Sequence, residues 1–214
     1  GGGSGLTTLQ GYANNLSWIG GNISTGTEWR SITWAPSLNL FCAVGSGGNK
    51  IATSPDGINW TPRLSVQQIT MSQCLKIIFD NVYQRFFAVG TGTNTIAYSS
   101  DNIGLDWNYT GLGSNYISGG VNSIASNNKS LRLIAVGKGT NSIAYSDNGT
   151  SWTGVSGTSI FSDQGNYSLW YGLKNRWIAV GKGTNTIAYS DDNGSTWTAV
   201  PSSTSIFSTS GNCI

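Results

Sequence analysis

The sequence predicts an all-β fold made from copies of one four-stranded antiparallel unit. Three observations carry that expectation: a repeat of about 45 residues at fixed phase, a composition poor in helix formers, and a turn motif that recurs before a tryptophan. The 214 residues include 30 Gly but only 4 Pro and 1 Met, and 9% are charged, against about a quarter in an ordinary globular domain. Ser, Thr, Asn and Gly take the place of Lys and Glu, which favours strands and turns. No stretch carries an apolar stripe at helical spacing. Nine Trp and nine Tyr argue against disorder, which goes with few aromatics.

The repeat is read from four segments: Phe41-Cys42-Ala43-Val44-Gly45, Phe86-Phe87-Ala88-Val89-Gly90, Leu133-Ile134-Ala135-Val136-Gly137 and Trp177-Ile178-Ala179-Val180-Gly181. Each is preceded by another apolar run, such as Arg30 to Trp34 or Leu75 to Phe79. Each is followed by a Gly-rich turn and a second Ala-centred strand around Ala52, Ala97, Ala144 or Ala188. A last strand begins at Trp60, Trp107, Trp152 or Trp197. A four-stranded meander of this size cannot bury both faces alone, and stacking such units around an axis does so. The expected architecture is therefore a β-propeller of four-stranded antiparallel blades spanning residues 1–214. Its units lie near 28–66, 67–118, 119–160 and 161–203, with partial units at 1–27 and 204–214.

The turn before each Trp is the most specific signal. Ser190-Asp191-Asp192-Asn193-Gly194-Ser195-Thr196-Trp197 matches S-x-D-x-G-x-T-W at every fixed position. Ser54 to Trp60 and Ser146 to Trp152 are one residue shorter, and Ser99 to Trp107 is one longer. This resembles the Asp-box (BNR-like) repeat of sialidases, sortilin-like receptors, photosystem assembly factors and proteins of large viruses and phages. The resemblance implies structural turn roles for Asp56, Asp101, Asp147 and Asp192, for Gly57, Gly104, Gly149 and Gly194, and for the four tryptophans. The physics is local: an Asx oxygen accepts backbone N–H groups just ahead of it, Gly supplies a positive φ, and Trp covers the turn.

The ends repeat the same phase. Gly3 to Gln10 aligns with Gly137 to Ala144, and the same frame brings Ser17-Trp18 onto Ser151-Trp152. Thr204 to Ser208 repeats Thr158 to Ser162, which sets Ile214 opposite Ser168. The partial units then nearly complete a split fifth, so a five-bladed ring is favoured; a fragment of a larger propeller is the alternative.

The chemistry is sparse. There is no His and a single Glu, Glu28, so imidazole triads and His metal sites are absent. A sialidase-type glycoside hydrolase would need an arginine cluster, a Tyr–Glu pair and an acidic Asp. Yet Arg85, Arg132 and Arg176 share one repeat phase, which spreads them around the ring as a feature of each blade. No catalytic, metal or cofactor site is expected. The net charge of +2 is scattered, which argues against a nucleic-acid groove. No apolar run reaches the roughly 18 residues of a membrane span. Cys42, Cys74 and Cys213 match neither a metal nor a disulfide spacing, and Cys42 stands at a core position.

Binding is expected in the loops between units and the Gly-Thr-Asn turns on the same face. The candidates are Tyr116, Ile160, Phe161, Ile206, Phe207, Asn94, Asn141 and Asn185. A ring beside amides and hydroxyls suits a neutral sugar, while the competing reading tucks Ile160 and Phe161 between blades as core. Function is expected to be that of a non-catalytic surface structural or adhesion module, extracellular or on a virion, that binds a glycan or a protein surface, including neighbouring structural proteins. The alternative is an intracellular protein-binding scaffold.

Overall fold

The structure, a computed structural model, describes residues 28–48, 50–63, 71–100, 106–110, 116–155 and 160–213. The expected N-terminal partial unit, Asp101 and Gly104 lie outside these residues. Among the described residues four units follow one another. The first holds β1 (Glu28–Ala35), β2 (Leu40–Ser46), β3 (Ile51–Ser54) and β4 (Thr61–Pro62). The second holds β5 (Gln73–Asp80), β6 (Arg85–Thr91), β7 (Ile96–Ser99) and β8 (Trp107–Tyr109). The third holds β9 (Gly120–Ser126), β10 (Leu133–Lys138), β11 (Ile143–Ser146) and β12 (Thr153–Gly154). The fourth holds β13 (Gln164–Tyr171), β14 (Arg176–Lys182), β15 (Ile187–Ser190) and β16 (Thr198–Ala199).

Within each unit the strands pair antiparallel in chain order, and a bridge at Ser46 and Gln73 links the first unit to the second. The first strands β1, β5, β9 and β13 lie side by side along the axis, and the short Trp-bearing strands lie outermost. After the fourth unit, Ser210 pairs with Lys182 as Gln73 does with Ser46, so the chain continues the pattern. One helical turn, Ser203–Ile206, precedes that contact.

The second strand explains its own composition. It is buried on both faces, and its Ala pairs across to the Ala of the third strand: Ala43 with Ala52, Ala88 with Ala97, Ala135 with Ala144, Ala179 with Ala188. On the opposite face stand bulky residues, for example Phe87, Val89 and Ile96 in the second unit. Those three pack against Ala135, Ala144 and Trp152 of the third unit. Ile134, Val136 and Ile143 repeat the contact on Ala179, Ala188 and Trp197, and Cys42, Val44 and Ile51 on Ala88, Ala97 and Trp107. Each core is thus shared by two units, and no unit owns one.

The Gly that ends each Ala-Val-Gly strand has a steric cause. The facing first strand carries a bulge, with Arg30, Leu75, Asn122 or Asn166 as the extra residue. The bulge drives a backbone carbonyl toward the second strand. A Cβ at Gly45, Gly90, Gly137 or Gly181 would collide with the carbonyl oxygen of Glu28, Gln73, Gly120 or Gln164. The bulging Asn side chains also reach the next unit: Asn122 Nδ2 donates to Gly165 O and Asn166 Nδ2 to Gly211 O, both at 2.9 Å.

Gly137→Ala is expected to destabilise the fold by about 3 kcal/mol, since its methyl would meet backbone that cannot step aside. Gly48→Ala, where a Cβ would meet nothing within 4 Å, serves as the neutral control. Urea denaturation of both variants checks the contrast.

Candidate functional site

The turns before the tryptophans use their polar groups on themselves. In the first, Asp56 Oδ1 accepts from Ile58 N and Asn59 N, both at 2.8 Å, while Ser54 Oγ accepts from Gly57 N at 2.8 Å. In the fourth, Asp192 Oδ1 accepts from Thr196 N at 2.9 Å, and Ser190 Oγ accepts from Gly194 N at 2.9 Å. Gly57, Gly149 and Gly194 all have φ between +73° and +86°, as the turn requires. Trp60 and Trp197 donate their indole N–H to the Gly carbonyl of their own turn. These hydrogen bonds hold the Asp56 carboxyl well below the usual carboxylate range. Asp192 is likewise held down to about 2, first by the Thr196 hydroxyl.

One expected residue is corrected. In the third turn the acceptor is Asn148, whose Oδ1 receives Thr150 N at 2.9 Å and Ser151 N at 2.7 Å. Asp147 instead pairs with Arg132 at 2.9 Å. The acceptor must stand two residues after the Ser, and in this turn Asn148 fills that place. Asp191 follows Asp147 by pairing with Arg176 at 2.6 and 2.8 Å. Arg85, Arg132 and Arg176 each lie over the Tyr of the same unit's third strand, Tyr98, Tyr145 or Tyr189. They are three separate blade supports, not a cluster around one carboxylate.

The expected binding face is also corrected in part. Phe161 is only 2% exposed and packs in the core shared by the third and fourth units; its ring stands where a Gly181 side chain would be. Ile117 fills the same place over Gly137. Burial therefore removes Phe161 from any binding surface, the outcome that the competing core reading anticipated. Ile160 and Tyr116 pack at the edges of these cores. Asn141 is half-buried and ties its turn to the unit's end, donating Nδ2 to Val155 O at 2.6 Å while its N–H reaches Tyr116 O. Asn94 and Asn185 are half-buried in the equivalent turns. Of the eight candidates, Ile206 alone is well exposed, at 63%, with Phe207 half-buried beside it.

Reasoning from sequence missed the other end. The turns between first and second strands carry Val82, Leu131 and Leu173, exposed by 40%, 47% and 87%, with Tyr171 beside the last. The turns of Val82 and Leu131 are closed by their own side chains. Asp80 Oδ1 accepts Val82 N and Tyr83 N, and Asn127 Oδ1 accepts Lys129 N and Ser130 N. They are also tied to each other: Tyr83 hydroxyl donates to Leu131 O at 2.6 Å, Asn81 N to Asn128 Oδ1 at 2.9 Å, and Ser126 to Asp80. The signal was present as an apolar residue inside each polar turn, but only the topology brings the three tips to one end.

Among the described residues no group of three His, Cys, Asp or Glu side chains could hold a metal ion. Nor is any helix among them long and apolar enough to cross a membrane. Cys42 and Cys74 are buried free thiols, and burial pushes Cys74 up to about 12.

Comparison with family models and with characterised sequences finds no match. Solved structures do match. The chain resembles a chain of a nidogen/laminin complex at 16% identity and TM-score 0.59, covering 79% of this chain and 62% of that one. It resembles U3-55K at 11% identity and TM-score 0.61, covering 82% and 52%. The WD40 repeats of RRP9 match at 11% and TM-score 0.59, covering 83% and 52%. The chain spans between half and two thirds of the length of these structures. With the four units around one axis, they establish the fold as a β-propeller.

Two outcomes test the turn. Trp152→Ala should cost about 3–5 kcal/mol because that ring is buried between units, and half-exposed Trp60→Ala should cost clearly less, as read by thermal unfolding. Asp192 has a folded pKa below its ordinary 3.8, so its contribution is complete above about pH 4 and fades as pH falls toward 2. Asp192→Asn keeps an acceptor without a titration and should flatten the acid limb of a stability–pH curve; an unchanged limb contradicts this assignment.

Proposed function

We propose that this chain is a non-catalytic binding scaffold of Asp-box (BNR-like) repeats that engages a protein partner through its first-turn end. The exposed tips Val82, Leu131 and Leu173 carry the reading. Val82 and Leu131 are held out by turns closed with Asx hydrogen bonds and so lose little freedom on docking, and Leu173 adds the most exposed apolar side chain at the same end. Among the described residues the repeat carboxylates and arginines are engaged in turns and blade supports, which supports the non-catalytic reading. An extracellular or virion-surface setting belongs to the same proposal and rests on the resemblance of the Ala-Val-Gly-Lys-Gly-Thr-Asn repeats to those of large-virus and phage proteins. A glycan ligand would use the opposite end, around Ile206.

The test places a photo-crosslinking amino acid at position 173 or at position 206. Protein adducts formed from position 173 in the source extract, and lost with Val82→Ser and Leu131→Ser together, support the reading. Adducts from position 206 alone, or saturable binding on a glycan array that the two Ser substitutions leave intact, overturn it.

A further inference from the structure

Charges that are scattered along the chain are sorted by the fold into two ends. Arg30, Lys50, Arg63, Lys138 and Lys182 lie at the end of the Gly-Thr-Asn turns, each at the start of a first or third strand or the close of a second or fourth. Among the described residues two carboxylates, Glu28 and Asp163, share that end. The others, Asp56, Asp80, Asp106, Asp147, Asp191 and Asp192, stand at the first turns or in the turns before the tryptophans, which antiparallel pairing brings to the opposite end. The repeat is the cause. Its acceptor turn fixes carboxylates at one end, where Arg132 and Arg176 pair with Asp147 and Asp191, and so leaves the Gly-Thr-Asn end positive.

The surplus is concentrated between the third and fourth units. Lys138 Nζ lies 3.3 Å from Asp163 Oδ1 and Lys182 Nζ 2.8 Å from Asp163 Oδ2, so two ammonium groups share one carboxylate. The two lysine side chains are 59% and 52% exposed. Their charges stand within one Debye length, about 10 Å in 0.1 M salt, and act together on a partner. Glu28 does not offset them, because it pairs with Arg30 at 2.7 Å. An apolar group stands alongside: Ser210 bridges to Lys182, and the helical turn just before it, Ser203–Ile206, presents the exposed Ile206.

We propose that this end docks an acidic segment of a protein partner, its carboxylates against Lys138 and Lys182 and an apolar side chain against Ile206. A surface of one sign steers an oppositely charged partner and speeds encounter. A nucleic acid would ask for a longer basic stripe, whereas two clustered lysines with one apolar neighbour suit a short acidic stretch interrupted by an apolar residue. The contact is separate from the one at the first-turn end, so the scaffold carries two surfaces of unlike chemistry, one apolar and one cationic.

Fluorescence anisotropy with a labelled peptide of glutamates and leucines, and with its glutamine counterpart as control, tests this. Saturable binding of the acidic peptide that weakens as sodium chloride rises is expected, with none for the control. Lys138→Gln together with Lys182→Gln should weaken binding by about fivefold, the size of two exposed ion pairs. Asp163→Asn removes the competing carboxylate and should tighten it. Lys129→Gln together with Lys174→Gln changes the net charge equally at the first-turn end and should leave the affinity unchanged. All four lysines are exposed, so these variants keep the fold. Equal loss in the two lysine pairs, unchanged affinity without Lys138 and Lys182, no gain with Asp163→Asn, or no saturable binding overturns the proposal. Tighter binding of a heparin fragment than of the peptide also overturns it and assigns the end to an anionic polysaccharide.

Discussion

Every unit of this propeller has two unlike faces, and the contact between them is what the rest of the structure depends on. One face projects bulky side chains from the second and third strands, as Phe87, Val89 and Ile96 do. The other is hollowed by an Ala–Ala cross-strand pair and roofed by Trp, as at Ala135, Ala144 and Trp152. A single unit would leave both faces wet, so its hydrophobic stabilisation is realised only against a neighbour. The Ser–Asx–Gly–Trp turn belongs to the same contact. Its Gly lies against the preceding unit: a side chain on Gly149 would strike Phe87, and one on Gly194 would strike Ile134. The turn is thus a local device whose shape is demanded by a non-local fit.

This ordering explains why the most visible residues are scaffold. The Asx, Gly and Trp of the turns serve that inter-unit contact, while the Arg–Tyr stacks and the Gly of the second strand brace each unit from within. Residues free to engage something else are those that break the pattern. Val82, Leu131 and Leu173 share a location without sharing a sequence, and Lys138 and Lys182 stand where the first two units carry Ser46 and Thr91.

Much of the fold was legible in the sequence because repetition amplifies weak signals: one Ala-Val-Gly means little, and four at fixed phase define a strand. The shared phase of Arg85, Arg132 and Arg176 was enough to read them as blade features, and the lone Cys42 could be read as core by the company it keeps in the repeat. Other features stayed hidden for physical reasons. Phe161 looks like a loop aromatic until the bare backbone of Gly181 is seen to leave room for its ring. The bulges at Asn122 and Asn166 follow from register, which side-chain type alone does not reveal. Asp147 and Asn148 are adjacent acceptors, and only the offset from Ser146 separates their roles. Lys76 and Tyr167 meet across an intervening unit, a distance over which local pattern carries no information.

The unlike faces also give the chain a direction. Because projections always meet the hollow of the next unit, the contact is head-to-tail, and an in-frame duplication of one repeat would insert a module already shaped for both of its neighbours. No compensating change in the older copies is needed for the new interface to form. Such an architecture lengthens by copying more readily than by invention, and the near-identity of the Val136 to Asn141 and Val180 to Asn185 segments is the residue-level trace that copying leaves.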